Sequence, residues 1–170
     1  MSEGAESVLK QENGTKFARW PRPAFYAVLV LALALDQVTK TWAHAALEPI
    51  RRVTLVPGFF DLTYNENTGI AFGMFAGQGL LVGLCVIVLA IVALYYTKGL
   101  NWARWESSMV GGCLCGGALG NLIDRARLGY VIDFFDFHVG HYYWPIFNVA
   151  DSLICLSVGW IVLRQFTGKD

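Results

Sequence analysis

Ser107-Ser108-Met109-Val110-Gly111-Gly112-Cys113-Leu114-Cys115-Gly116-Gly117-Ala118-Leu119-Gly120-Asn121-Leu122-Ile123 runs for seventeen residues without a charged side chain. A membrane-spanning helix needs roughly 17 to 25 mostly apolar residues, so this stretch reads as a span. A longer uncharged run, Ile70 to Thr97, precedes it. With two further apolar blocks, the predicted spans are 24–46, 77–97, 107–123 and 147–166. The bulk numbers agree: 55% hydrophobic, 15% charged and net charge zero, where soluble domains carry about 25% charged residues. These values exclude an ordinary soluble domain, and a balanced charge leaves no footing for nucleic-acid binding. The expected class is a membrane all-α protein, a four-transmembrane-helix bundle.

The third span is rich in glycine, and Gly112, Gly116 and Gly120 stand four apart, a spacing that lets helices approach closely. A phosphate-cradling loop would need Gly-Lys-Ser/Thr, which is absent. In the first span Asp36 and Lys40 are four apart on one helical face and can pair. Residues 24–35 would also suit the core of a cleaved signal sequence, but the helical pattern continues to Ala46 and reads as a span. Eight of the thirteen Lys and Arg fall on the side of the two termini. The positive-inside rule therefore predicts cytoplasmic termini, with residues 1–22 a polar cytoplasmic tail and 23–170 a single membrane domain.

The segment after the first span holds two short strand patterns, 53–56 and 59–64, broken by Pro57-Gly58. They predict a small sheet on the outer face, a cradle against the membrane, with 65–69 as a turn. The segment 124–146 reads as a second outer loop ending in an aromatic belt, Tyr142-Tyr143-Trp144.

Two aspartates sit in apolar settings, Asp133 within Val131-Ile132-Asp133-Phe134-Phe135 and Asp151 at the start of the fourth span. A carboxylate at mid-bilayer costs roughly 3 kcal/mol or more. Asp36, Lys40, Asn67, Asn121, Asp124, Asn148 and Asp151 all fall towards the outer ends of the predicted spans. Such a cluster serves either as polar glue between helices or as a site. Serine hydrolysis lacks a Gly-x-Ser-x-Gly elbow. His44, His138 and His141 show no metal-ligand pattern, and no cofactor is expected. The cysteines lie in apolar spans. Paired carboxylates remain: crowded together in a poorly solvated place, one stays protonated, so one can activate water while the other polarises a carbonyl. Spacing leaves Asp36, Asp61, Asp124 and Asp136 open as alternatives, and a proton-coupled transporter as the rival class.

Five motifs in order resemble the lipoprotein signal peptidases (signal peptidase II), bacterial membrane aspartic peptidases. They are Asp36-Gln37-Val38-Thr39-Lys40; Asn67-Thr68-Gly69-Ile70-Ala71-Phe72-Gly73; Gly116 to Arg125; Val131-Ile132-Asp133-Phe134; and Phe147-Asn148-Val149-Ala150-Asp151-Ser152. The resemblance implies that Asp133 and Asp151 form the catalytic dyad. It implies that Asn121, Asp124, Arg125 and Asn148 support the dyad and substrate, while Asp36, Lys40, Asn67 and Gly69 shape the site. It further implies a diacylglyceryl-modified prolipoprotein substrate cut just before the lipidated cysteine, inhibition by globomycin, contact with membrane lipids and a place in the bacterial inner membrane; a monomer is expected, and the carboxylate chemistry needs no metal or cofactor.

Overall fold

The computed structural model describes residues 23–69 and 104–167. The chain runs through helix α1 (Pro23–Leu47), strands β1 (Arg52–Val56) and β2 (Phe60–Asn67), helix α2 (Trp105–Leu128), strands β3 (Val131–Val139) and β4 (Tyr142–Tyr143), and helix α3 (Val149–Thr167). Three of the four predicted spans are thus helical. The second, 77–97, and the tail 1–22 lie outside the described residues.

Among the described residues, α1 is the one helix long and apolar enough to cross a membrane. Its 25 residues extend about 37 Å at 1.5 Å per residue, against roughly 30 Å of hydrocarbon. Val30, Leu31, Leu35 and Val38 on α1 and Leu156, Val162, Leu163 and Phe166 on α3 point outward and are exposed. Water would penalise that surface.

Glycine sets the helix packing, as its four-residue spacing predicted. A Cβ at Gly112 would stand 2.8 Å from the Phe25 carbonyl and from Val28, and one at Gly116 would stand 2.7 Å from the Ala32 Cβ. At Gly120 it would collide with the Asp36 carboxylate. On the next face, a Cβ at Gly117 would stand 2.8 Å from the Ala150 carbonyl of α3. One glycine-faced helix therefore holds both neighbours close and brings their polar ends together.

The expected second outer loop is instead part of the sheet. Gly129, with φ 83° and its N–H bonded to the Arg125 carbonyl, ends α2. A left-handed cap turns the chain without a Cβ penalty, and β3 begins two residues later. The four strands run in the order β1-β2-β3-β4, all neighbours antiparallel. β3 is buried at one end, where its sequence is an apolar run around Asp133. Its partner makes it a strand of the sheet: Asn65, Glu66 and Asn67, predicted as a turn, pair with Asp133, Ile132 and Val131. A bulge makes this possible, since the register steps between Leu62 and Asn65 and adds a residue to one strand.

Alternation along β3 sends Ile132 and Phe134 into a core with Ala43, Leu47 and Tyr64. Asp133, Phe135 and Phe137 face the other way. After β4 the chain returns along β3: Trp144 N–H reaches the Phe137 carbonyl, and Phe147 bridges Phe135. That return delivers Asn148 beside Asp133.

Candidate active site

Asn148 opens α3 with a reciprocal cap. Its side-chain oxygen accepts the Asp151 backbone N–H at 3.0 Å, while Asp151 Oδ2 accepts the Asn148 backbone N–H at 3.2 Å. This is the capping-box arrangement with Asn and Asp in place of Ser and Glu. It explains locally why Asp151 points back across the helix start. The Asn148 side-chain amide also donates to Asp133 Oδ1 at 2.7 Å. One fully buried asparagine therefore holds both carboxyls.

Each carboxyl has a second donor. Asn67 Nδ2 donates to Asp133 Oδ2 at 2.8 Å, and Asn121 Nδ2 donates to Asp151 Oδ1 at 2.7 Å. Asn67 reaches Asp133 because β2 and β3 are in register there, and its oxygen accepts the Gly69 N–H at 3.0 Å. That small turn holds the Gly69 carbonyl where Arg125 donates to it at 3.0 Å. Arg125 also donates to the Asn121 carbonyl at 3.2 Å.

Lys40 forms the floor of the site. Its ammonium lies 2.9 Å from Asp36 Oδ2, 2.9 Å from Asp124 Oδ2 and 2.7 Å from Asn121 Oδ1. An ammonium has three protons, and each has a partner here. Asp36 Oδ1 accepts the Ala150 N–H at 3.1 Å, placing a negative charge at the α3 N-terminus, where the helix dipole favours it. Gln37 donates to Asp124 Oδ1 at 2.9 Å.

All ten residues named from the sequence thus join one hydrogen-bonded network. Gln37 belongs to it and was not singled out; its place one turn before Lys40 was the available signal. Asp36 and Asp124 share the single ammonium of Lys40. Asp61 and Asp136 stand apart, on the sheet face opposite Asp133. There Arg52 Nε donates to Asp61 at 2.8 Å, His138 Nε2 lies 2.9 Å from Asp61, and Thr63 donates to Asp136 at 2.9 Å. Burial pushes the Asp61 carboxyl up, but the bonds from Arg52 and His138 outweigh it and hold it below its ordinary value. His44 lies 3.0 Å from the Tyr64 hydroxyl. Among the described residues no group of three or more His, Cys, Asp or Glu converges as a metal site.

The electrostatics single out Asp133. The network holds Asp36, Asp124, Asp133 and Asp151 against Lys40 and Arg125, two negative charges in excess. Burial, then the charge of Asp151, push Asp133 up to about 7, against lowering by its bonds from Asn67 and Asn148. A carboxyl in that range keeps a proton near neutral pH and can pass it on.

Fold and site together define a membrane enzyme of the aspartic peptidase kind. Two solved structures described as bacterial membrane enzymes are similar to it. One has a TM-score of 0.68 at 30% identity, covering 86% of this chain and 91% of the other. The second has 0.70 at 27%, covering 89% and 97%. The family model described as signal peptidase (SPase) II matches residues 28–167. A lipoprotein signal peptidase of Oleidesulfovibrio alaskensis is 39% identical over 158 residues, 87% of this chain and 99% of that protein. One from Thermodesulfovibrio yellowstonii is 42% identical over 140 residues, 81% of this chain and 90% of that protein. The chain belongs to the signal peptidase II family, whose members remove signal peptides from prolipoproteins.

Proposed function

We propose that Asp133 and Asp151 are the catalytic dyad of this peptidase. The observation that carries the reading is that both carboxyls hang from Asn148 while Asp133 is pushed to about 7. Asp151, ionised, takes a proton from water as the water attacks the scissile carbonyl. Asp133, protonated, donates to the carbonyl oxygen; as the C–N bond breaks, Asp151 passes the proton gained from water to the leaving amine and Asp133 takes back a hydroxyl proton as the carbonyl re-forms. Asn148, Asn121 and Asn67 fix the carboxyl orientations. Lys40 with Asp36 and Asp124 fixes Asn121 and the α3 N-terminus. Arg125 holds Gly69, and its buried Nε, which has no hydrogen-bond partner among the described residues, can serve a substrate carbonyl.

The reading extends to topology. Four spans, with 77–97 as the second, place both termini in the cytoplasm and the dyad near the outer face of the inner membrane. A diacylglyceryl-modified prolipoprotein then diffuses in the bilayer plane and presents the bond before its lipidated cysteine to the Asp133 face of the sheet. Phe60, Phe135, Phe137 and Phe147 line that face, with Phe60 and Phe137 stacked at 4.4 Å and Phe137 and Phe147 at 5.8 Å. Globomycin would compete for the same site, and the enzyme acts as a monomer.

The test is cleavage of a lipidated precursor peptide by Asp133→Asn and Asp151→Asn separately. Loss of turnover in both, with folded protein, is expected; near wild-type turnover in either removes that residue from the dyad.

A further inference from the structure

The cluster around Asp61 and Asp136 has no part in the chemistry above, yet it is built from buried charge. Asp61 and Asp136 stand directly opposite each other across β2 and β3, and they are only 2% and 4% exposed. Like charges directly opposite on paired strands are destabilising. Arg52 and His138 converge on them. Arg52 on β1 holds Asp61 through Nε and Nη2 and comes within 3.7 Å of Asp136. His138, two residues beyond Asp136 on the same face of β3, lies against Asp61, and Thr63 supplies Asp136 with a hydrogen bond.

The place of this cluster in the register gives it a consequence for the site. Between Leu62 and Asn65 the β2 ladder is bulged, so Thr63 and Tyr64 stand opposite one residue of β3. Past that bulge, Asn67 must arrive at Asp133 to donate its hydrogen bond. A one-residue slip of a strand turns every side chain to the opposite face, and a bulge is where a slip costs least. The last paired residues before the bulge are Phe60, Asp61 and Leu62, and the charged pair among them is the one Arg52 rivets.

We propose that Arg52, acting through Asp61 and Asp136, is a positioning residue for Asp133: it locks β2 against β3 on the far face of the sheet and so fixes the Asn67–Asp133 contact. Without the guanidinium the two buried carboxylates repel, β2 shifts at the bulge, and Asp133 loses its orientation while the substrate surface stays intact. This rests on Asp133 being catalytic.

The experiment measures kcat and KM of the full-length enzyme in lipid or detergent, with the precursor peptide, for Arg52→Gln, Arg52→Lys and the double variant Arg52→Gln/Asp61→Asn. A misplacement near 1 Å can cost about 100-fold, so Arg52→Gln should lower kcat by about 10- to 100-fold with KM little changed. Arg52→Lys should keep most of the rate because the positive charge remains. The double variant should recover most of the lost kcat, since a neutral amide in place of the Asp61 carboxylate no longer needs a cation. A wild-type kcat in Arg52→Gln overturns the proposal, as does a double variant no faster than the single one, or an effect confined to KM. If Arg52→Gln yields no folded protein, the double variant carries the test: it must fold and turn over at close to the wild-type rate, and a folded but inactive double variant overturns the proposal. Asp133→Asn serves as the separate control. Activity there defeats the dyad reading itself, whereas an inactive Asp133→Asn beside a normal Arg52→Gln defeats only the positioning role.

Discussion

Replacing Asp133 by Asn should change how stability depends on pH, with a size that follows from the site. Asp133 is fully buried, and its carboxyl is pushed from an ordinary 3.8 up to about 7 by burial and by Asp151. Between those values the folded protein keeps a proton that the unfolded chain releases, so stability falls as pH rises. The contribution is fully present below the unfolded pKa and is lost once pH passes the folded one. The slope is about 1.4 kcal/mol per pH unit per proton, and about three units give roughly 4 kcal/mol lost in all. From pH 5 to pH 8 only the part up to about 7 remains, roughly 3 kcal/mol. Asn at 133 cannot ionise, so the variant should lack this component. Its amide can accept from only one of the two donors, Asn67 and Asn148, which leaves a donor unsatisfied at a cost of about 1–3 kcal/mol. That cost does not vary with pH and drops out of the comparison. Chemical unfolding of both proteins in the same detergent at pH 5 and pH 8 measures the difference of differences. A wild-type loss greater than that of Asp133→Asn by about 3 kcal/mol is expected. Parallel pH dependence in the two proteins would refute the assignment of a raised, buried carboxyl at this position.

Further outcomes follow from the same geometry. The rate of precursor cleavage should be bell-shaped in pH, with the alkaline limb near the shared proton's value of about 7; a flat profile from pH 5 to 9 would count against a proton-sharing pair. Asn67→Ala removes a donor that stabilises the ionised Asp133, so the alkaline limb should move to higher pH, whereas Asp151→Asn removes a repelling charge and should lower the Asp133 value in an NMR or calorimetric titration. Lys40→Met leaves Asp36 and Asp124 buried without their cation and should cost about 3–5 kcal/mol in denaturant unfolding; unchanged stability would mean that those carboxyls are already neutral. Gly120→Ala drives a Cβ into Asp36 and should cost about 1–3 kcal/mol, while an alanine at Gly140, where nothing lies within 4 Å, meets only the strain of φ 60°.

Much of the site was legible because it is helical. Asp36 with Lys40 and Asn148 with Asp151 are spaced so that a helix or its cap brings each pair together whatever surrounds it, and the glycines at 112, 116 and 120 announce a close helix contact by period alone. β3 was less legible. A strand buried at one end carries the same apolar letters as a membrane segment, and the pairing that defines it lies more than sixty residues away in Asn65, Glu66 and Asn67. The bulge after Leu62 leaves no local sign at all.

The sequence by itself determined the membrane class, the three described helices and, through five ordered motifs, the family, since these depend on composition, period and local spacing. Spacing did not choose among six aspartates. The tertiary structure sorted them physically: Lys40 pairs with Asp36 and Asp124, Arg52 and His138 bind Asp61 beside Asp136, and Asp133 and Asp151 remain together on Asn148, neither in a direct ion pair among the described residues. That sorting depends on which charges meet across helices and strands distant in the chain, and only the folded arrangement brings those charges together.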